Sequence, residues 1–485
     1  MDDLWQIAGG LCSVIETAGA TGHPVHTKIT NSGVAVGELS ELDNNEAQSR
    51  SQEAQTRRCW CCAGRESARS LRASGSEFLR FEDLLGAVLD PVARLVRLVH
   101  CPIISGTRAR RDVFLHIGGG EKVLEAVREW ASQVNDRCTT KGLRRYHVLI
   151  NPASGSGNAA STWQQVRELF ACLPFLEITE THTTRAGEAC EIASQLDPNQ
   201  CDGIIVISGD GMVHEVFNGL AHRSDRGEAL RIAVGHIPGG SGNALAKSIL
   251  HSSGEAFGAL EAAFLIAKGK QREVDLMTVS QPNQPDRISF LGLSAGVIAD
   301  VDLGSEWLRF MGGFRFTLYA AVCIAYPRPL VAELHYWPAT SEAPAGPAPG
   351  LDSELPPGPW VSISGAFTIF WSANMAWMSY KVHLAPGQCM GDGTCSLVIL
   401  RDAGRLALTQ FLLALESDSG THLDVQGAEK LECKAFRLVP AASVRGYFSL
   451  DGEEVPLQPI QFWPTGQGRV IGSSPDSRMD SVMNV

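Results

Sequence analysis

The chain reads as an α/β domain built on a parallel sheet of βα units, followed by a β-rich domain and preceded by a small β-rich module. Three observations carry that reading. Between Tyr146 and Lys268, short apolar runs such as 203–207 alternate with segments whose apolar residues recur at helical spacing, such as 159–173. Successive βα units imply a parallel sheet covered on both faces, with right-handed crossovers. Beyond Lys268 the helical period gives way to short alternating runs separated by turn residues, and between 77 and 134 similar short runs precede one helix pattern carrying Trp130.

The 485 residues leave room for two or three domains at ~100–200 residues each. A 44% hydrophobic and 19% charged composition describes a globular chain. The net charge of −12, with no basic stripe interleaved with aromatics, argues against a nucleic-acid binder. Thirteen scattered cysteines fit free thiols in a reducing compartment. No apolar run reaches the ~18–20 residues of a membrane span, since the candidate at 314–326 is broken by Arg315. The acidic start, Met1-Asp2-Asp3, lacks the basic n-region of a signal peptide. A soluble chain, with at most peripheral membrane contact, is expected.

Residues 1–75 are weakly patterned and read largely as loop or disorder. Within them Cys59-Trp60-Cys61-Cys62 follows Arg57-Arg58, as an acylation site, a metal fragment or neither; no second pair with matching spacing favours zinc. Strands are expected at 78–81 and 112–116 and a helix at 122–134. The α/β part then runs strand 146–150, helix 159–173 with Trp163, Val166, Leu169 and Phe170 as its buried stripe, strand 175–180, helix 186–196, strand 203–207, helix 212–220 and strand 231–237 with its helix. The β-rich part offers strands at 274–279, 288–293, 360–370, 395–399, 435–439 and 447–450, with helices near 314–326 and 406–416. The Pro/Gly-rich stretch 338–359 is expected as a flexible surface loop. No internal repeat is visible.

Three glycine-rich turns fall at strand ends, on one edge of a parallel sheet: 151–159, 208–211 and 238–244. Free backbone N–H groups opening onto a helix make sites for phosphate oxygens. In Ser208-Gly209-Asp210-Gly211 the two glycines let the backbone approach a ligand and hold a carboxylate at the carboxyl end of the sheet; the alternative is that Asp210 is an ordinary helix cap. The Gly-x-x-x-x-Gly-Lys-Ser/Thr pattern of P-loop NTPases is missing. Gly155-x-Gly157-x-x-Ala160, with Glu180 about twenty residues on, fits a dinucleotide fingerprint and leaves an NAD-linked enzyme as a rival. Phosphoryl transfer, unlike that fingerprint, calls for phosphate cradles together with a carboxylate facing an acceptor hydroxyl.

Asn151-Pro152 with its glycines, Ser208-Gly209-Asp210-Gly211 and Pro238-Gly239-Gly240-Ser241-Gly242-Asn243 resemble, in order and spacing, the motifs of the diacylglycerol-kinase-like lipid kinases. Gly296-Val297-Ile298-Ala299-Asp300-Val301-Asp302, Ser305-Glu306-Trp307-Leu308-Arg309, Arg315-Phe316-Thr317-Leu318 and Ser449-Leu450-Asp451-Gly452-Glu453 bring the resemblance closest to the sphingosine kinases. It spans about 146–454 apart from the Pro-rich insertion. It implies an ATP-binding catalytic domain at 145–270, a β-rich lipid-binding domain at 271–470 with a cleft between them, and a tail at 471–485.

The resemblance makes Asp210 the general base. It lines the nucleotide with Asn151, Pro152, Ala153, Thr181, Arg185, Glu215, Gly240, Ser241 and Gly242, adds Arg309 and Arg315 at the phosphates, and closes the site with Asp451, Gly452 and Glu453. Ser208, Gly209, Gly211 and Asp302 then face the lipid head. Forked guanidinium groups suit phosphate oxygens, and two arginines six residues apart require a bent segment to converge. An anionic Asp302 favours an ammonium head, although a capping or core-satisfied aspartate is the alternative. Mg²⁺ is expected with ATP, its protein ligands unassigned. Two departures stand out: Ala153-Ser154 replaces a basic residue frequent in relatives, and Thr183-Thr184-Arg185 matches the nucleotide loop only loosely.

Residues 76–140 resemble the pleckstrin-homology-like module of plant sphingosine kinases and ceramide kinase, and the stretch from His383 to Ile399 is closer to plant long-chain-base kinases than to animal forms. The expected activity is ATP-dependent phosphorylation of the primary hydroxyl of sphingosine and related long-chain bases. Ceramide or diacylglycerol phosphorylation, or a non-catalytic nucleotide- or lipid-binding role, are the alternatives. Expected partners are the sphingoid base and, transiently, a membrane surface reached from the cytoplasm; a homodimer is left open. Phe290, Leu293, Phe314, Leu318, Phe367 and Trp371 are candidates for the lipid pocket, against a plain core role.

Overall fold

The computed structural model describes residues 14–18, 24–29, 31–37, 77–118, 120–140, 142–154, 157–305, 307–308, 314–415 and 420–472. They divide into two compact units, 1–143 with 169–175, and 144–168 with 176–485.

In the first unit β1 (Val14–Ala18), β2 (Pro24–Ile29), β3 (Gly33–Gly37), β4 (Glu77–Arg80), β5 (Leu84–Asp90), β6 (Leu95–His100) and β9 (Val113–Ile117) form an antiparallel sheet ordered β4-β3-β2-β1-β9-β6-β5. A short ribbon, β7 (Ile103–Ile104) with β8 (Thr107–Arg108), accompanies it. Helix α1 (Glu121–Cys138) buries Leu124, Val127, Trp130, Ala131, Val134 and Cys138, a stripe at three- and four-residue spacing, and this stripe joins Leu84, Val96, Leu98 and Leu115 in one core. Asn135 fastens helix to sheet, accepting from Ala87 N at 2.7 Å and donating to Ala87 O at 3.0 Å. The reading of residues 1–75 as loop therefore fails for β1 to β3. These are strands of five or six residues, paired as successive hairpins and tied at either side to β4 and β9, so periodicity within them is brief. Cys59–Cys62 lie outside the described residues.

The second unit opens with the expected βα alternation: β10 (Arg144–Ile150), α2 (Ala159–Ala171), β11 (Leu176–His182), α3 (Glu188–Gln195), β12 (Gly203–Ser208), α4 (Asp210–Ala221), α5 (Arg226–Ala229), β13 (Ala233–Pro238), α6 (Ala244–Ser252) and α7 (Ala259–Lys268). Strands β11-β10-β12-β13 are parallel. All six residues of β12 are buried, as an apolar run covered on both faces requires.

The rest is β-rich: β14 (Gln271–Ser280), β15 (Arg287–Ser289), β16 (Leu293–Gly296), β17 (Leu330–Pro338), β18 (Val361–Ala373), β19 (Cys395–Arg401), β20 (Ala428–Pro440), β21 (Phe448–Leu450), β22 (Glu453–Val455) and β23 (Ile460–Ile471), with helices α8 (Val297–Gly304), α9 (Phe314–Ala325) and α10 (Arg405–Leu415). Phe290, Leu293 and Phe367, offered above as pocket residues, are fully buried; Leu293 and Phe367 pack with Phe370, Phe436 and Phe462 in the core of this half. Burying each such side chain contributes ~1.5–3 kcal/mol.

Strand β23 is the join between the two halves, and it went unread in the sequence. It pairs in parallel with β13 at Val234/Val470 and antiparallel with β14 and β20, so one 14-stranded sheet runs through both. Its Pro464, Gly466 and Gly468 look like turn punctuation. In the fold, Pro464 sits beside Met277 where the register with β14 shifts at a bulge, a position that tolerates a missing N–H.

The Pro-rich insertion is also a correction. Rather than a flexible loop, it is pinned to the sheet by side chains bonding its carbonyl groups. Arg437 donates to Gly350 O at 3.0 Å and Ser353 O at 2.9 Å, Gln461 to Pro349 O at 2.9 Å, and Trp463 Nε1 to Gly346 O at 3.1 Å. Trp337 and Trp463 pack with Trp360 beneath it.

Candidate active site

The three glycine-rich turns meet at the carboxyl ends of β10, β12 and β13. Ser154 ties the first turn to the second, its Oγ accepting from Ser208 Oγ at 3.0 Å and from Gly209 N at 3.1 Å. Asn151, half-buried, accepts from Ala153 N through Oδ1 at 3.0 Å, while Pro152 and Ala153 are exposed on the rim. The third turn folds back on itself through Asn243, which adopts φ 58° and brackets Gly240 N and Gly240 O with its side chain. Its glycines are dictated by contact. A Cβ on Gly240 would lie 2.3 Å from Gly209 Cα, and one on Gly242 would lie 2.7 Å from Asp210 Oδ2. Ser241, between them, is exposed.

Asp210 is the first residue of α4, and it caps a different helix. Its Oδ2 accepts from Ala244 N at 2.9 Å and its Oδ1 from Leu245 N at 3.2 Å, at the start of α6. Gly209, at the N-cap of α4, supplies no side-chain acceptor to that helix. A carboxylate offers about four acceptor positions, so two remain. Burial pushes the Asp210 carboxyl above the usual carboxylate range, opposed by His236 and by the two α6 amides. Burial likewise holds His236 below the ordinary imidazole range, with Asp210 opposing.

The β21–β22 hairpin feeds the site through alternate residues. Ser449 Oγ donates to Asp302 Oδ2 at 3.3 Å. Glu453 reaches over α4, its Oε1 3.0 Å from where a Cβ on Gly211 would stand. Asp451, between them at φ 51°, is fully engaged internally: Oδ1 accepts from Ser289 Oγ (2.7 Å), Leu291 N (3.1 Å) and Gly292 N (2.8 Å), and Oδ2 pairs with His214 Nδ1 (2.8 Å) and Phe290 N (3.2 Å). Through these contacts the carboxylate expected at the nucleotide ties the β15–β16 connection to α4. Gly452 takes φ 92° at the hairpin tip.

Other expected nucleotide residues are held by neighbours. Thr181 Oγ1 lies 2.9 Å from His147 Nε2, Glu215 accepts from Ala189 N at the start of α3 at 3.2 Å, and Arg185 forms a two-pronged exposed pair with Glu191. Arg185 thus points along α3. Arg315, in the first turn of α9, lays its guanidinium over the Phe316 ring at 4.4 Å. Arg309 lies outside the described residues. Glu180, the acid of the dinucleotide fingerprint, accepts from Trp163 Nε1 and Arg167 and so faces its own βα unit.

Asp300, one turn into α8 and two residues before Asp302, was passed over in the sequence. It is 3% exposed, its Oδ1 has no hydrogen-bond partner, and burial raises its carboxyl to about 6 against the pull of Arg328. Of the two aspartates, Asp302 is the one with greater access to solvent. His214 had a faint signal, its i+4 position from Asp210 on one helix. His236 had another, as the one polar side chain interrupting an apolar strand.

This fold and site define a diacylglycerol-kinase-type phosphotransferase. The diacylglycerol kinase catalytic domain family matches residues 145–279. Among solved structures, a putative diacylglycerol kinase from Bacillus anthracis str. Sterne shares the fold at TM-score 0.50 and 19% identity, over 69% of this chain and 97% of that one. Sphingosine kinase 1 of Arabidopsis thaliana is 31% identical over 380 residues, 73% of this chain and 76% of the relative. Sphingosine kinase 1 of Mus musculus is 30% identical over 365 residues, 69% of this chain and 94% of the relative. The chain belongs to the sphingosine kinase family.

Proposed function

We propose that the chain transfers the terminal phosphoryl group of ATP to the primary hydroxyl of sphingosine and related long-chain bases, with Asp210 as general base. The observation that carries this reading is a buried carboxylate at the meeting of three glycine-rich turns with acceptor positions to spare. The acceptor hydroxyl gives its proton to Asp210 as its oxygen bonds to phosphorus and the bond to the leaving nucleotide breaks. Backbone N–H groups at the uncapped start of α4 and at 241–242 suit phosphate oxygens, whereas those of Asn151, Ala153, Ser154 and Gly240 are already bonded within the chain. Glu453 and Arg315, with Arg309, complete the nucleotide side, whereas Thr181, Arg185 and Glu215 shape it through the bonds given above.

Among the described residues no cluster of three His, Cys, Asp or Glu side chains stands ready for a metal. Mg²⁺ would arrive on the nucleotide phosphates with one or two carboxylate ligands and offset phosphate charge there. Ser208, Gly209 and Gly211 border the acceptor hydroxyl, and Asp302, steadied by Ser449, receives the ammonium group. The layout follows: a pleckstrin-homology-like module at 76–140 extended by β1 to β3, a catalytic domain at 145–270 and a lipid-binding domain at 271–470.

A labelled-ATP assay against sphingosine, phytosphingosine, ceramide and diacylglycerol tests the reading. Label is expected in the two amine-bearing lipids; label in ceramide or diacylglycerol alone would overturn the substrate, and none in any lipid would overturn the kinase activity. Asp302→Asn is expected to weaken use of the amines by roughly tenfold, the equivalent of ~1.4 kcal/mol of charge attraction. An unchanged preference for sphingosine over diacylglycerol would remove that role.

Among the described residues no helix is long and apolar enough to cross a membrane. Helix α9 nevertheless exposes Phe314, Leu318 and Val322 at four-residue spacing, with Tyr326 exposed just past its end; Trp307 is exposed as well. Such a stripe suits shallow, reversible docking on a bilayer from which the lipid is drawn. Leu318→Ser with Val322→Ser is expected to lower co-sedimentation with lipid vesicles several-fold; undiminished binding would exclude α9 as the contact.

A further inference from the structure

Strand β13 carries one polar side chain through the interior, His236, 2% exposed. Its Nε2 lies 3.0 Å from the Ser208 carbonyl oxygen. A carbonyl only accepts, so Nε2 holds the ring proton and Nδ1 is left with a lone pair. That Nδ1 has no hydrogen-bond partner and stands 3.9 Å from Asp210 Oδ1. Buried polar atoms are nearly always partnered, and one left open beside the base calls for an explanation.

We propose that His236 is a positioning residue for the base: it offers the proton taken by Asp210 a second acceptor, so that the two side chains hold one proton between them. The proposal rests on Asp210 being the base. With Asp210 ionised and His236 neutral, a lone pair faces a carboxylate and nothing joins them. Once the acceptor hydroxyl has lost its proton, Asp210 bears an O–H that can donate to Nδ1, and the proton can cross to leave an imidazolium against a regenerated carboxylate. The gap must close by roughly 1 Å to reach hydrogen-bond distance, within reach of a turn of either side chain. The proton leaves for solvent when product departs, so no charge accumulates in the interior.

The groups acting on the pair are few. From α6, the Ala244 and Leu245 amides favour the ionised Asp210; from the β21–β22 hairpin, Asp451 disfavours it; from β12, the Ser208 carbonyl holds Nε2. Two acceptor positions take up the first proton more readily than one. The sign follows: the proton-free, base-competent pair is lost as pH falls through the pair's apparent pKa, and removing His236 moves that point to lower pH.

His236→Gln separates this role from a structural one, because the amide N–H₂ can still reach the Ser208 carbonyl while the amide oxygen takes no proton. The acid limb of kcat/KM is expected to shift to lower pH by on the order of one unit, with the thermal midpoint and the KM for ATP near those of the parent. An unmoved acid limb would overturn the proposal. Should the variant not fold, histidine ring ¹⁵N titration of the parent chain and of Asp210→Asn decides the matter: the His236 signal must titrate differently in the two, and identical curves would overturn it. Full turnover in Asp210→Asn would remove the base assignment itself. An inactive Asp210→Asn beside a His236→Gln enzyme with the parent pH profile would remove this inference alone.

Discussion

Asp210→Asn is expected to remain folded while phosphotransfer falls by about 10²–10⁴-fold, the range a positioned general base supplies. The structure adds a second expectation, because the same carboxylate caps α6 through Ala244 N and Leu245 N. An asparagine keeps one oxygen for one of these amides and turns an N–H₂ toward the other, leaving a buried donor opposite a donor at a cost of ~1–3 kcal/mol. A thermal midpoint lowered by a few degrees should therefore accompany the loss of rate. Asp210→Ala strips both bonds and should be the less stable of the two. Measuring kcat beside the melting curve separates the contributions: a rate loss far beyond what unfolding at assay temperature explains belongs to the proton, and near-parent turnover would end the base assignment.

The α/β half was legible because β12 is a continuous apolar run, its neighbours carry shorter ones at regular spacing between helical patterns, and Ser208–Gly211 and 238–244 combine glycine with chemistry-bearing residues. What escaped notice depends on partners far apart in sequence. Strand β23 reads as turns until its register with β14 is known, since Pro464 is acceptable only at the bulge. The insertion at 338–359 has a loop's composition, and its order comes from Arg437, Gln461 and Trp463, about a hundred residues later. In the site, the sequence placed a carboxylate at each of 210, 302 and 451 but could not say what each oxygen touches. The Asp210 carboxylate accepts two amides and keeps acceptor positions to spare, whereas five donors meet that of Asp451. Ser154, noted as a missing cation, is the hydroxyl that links two of the turns.

Replacing Asp451 with alanine should have the largest effect on stability. Its side chain is fully buried, and Ser289 Oγ, His214 Nδ1 and the amides of Phe290, Leu291 and Gly292 all converge on it. Deleting one partner of a buried charged network costs ~3–5 kcal/mol, because the groups left behind cannot return to water. Against a typical total of ~5–15 kcal/mol, that is enough to leave a substantial share of the chain unfolded at assay temperature. Asp451→Asn retains an oxygen for Ser289, Leu291 and Gly292 while opposing Phe290 N with a donor, so a milder loss of ~1–3 kcal/mol is expected. Urea unfolding measures both, and a lower midpoint at unchanged slope would mark a lost native interaction. The two roles open to this residue then diverge. A nucleotide ligand would, on becoming asparagine, raise the KM for ATP and leave the unfolding midpoint in place. A lock between the β15–β16 connection and α4 would lower the midpoint and disturb ATP use only as far as the helix bearing Asp210 is displaced. The five donors on two oxygens predict the second outcome.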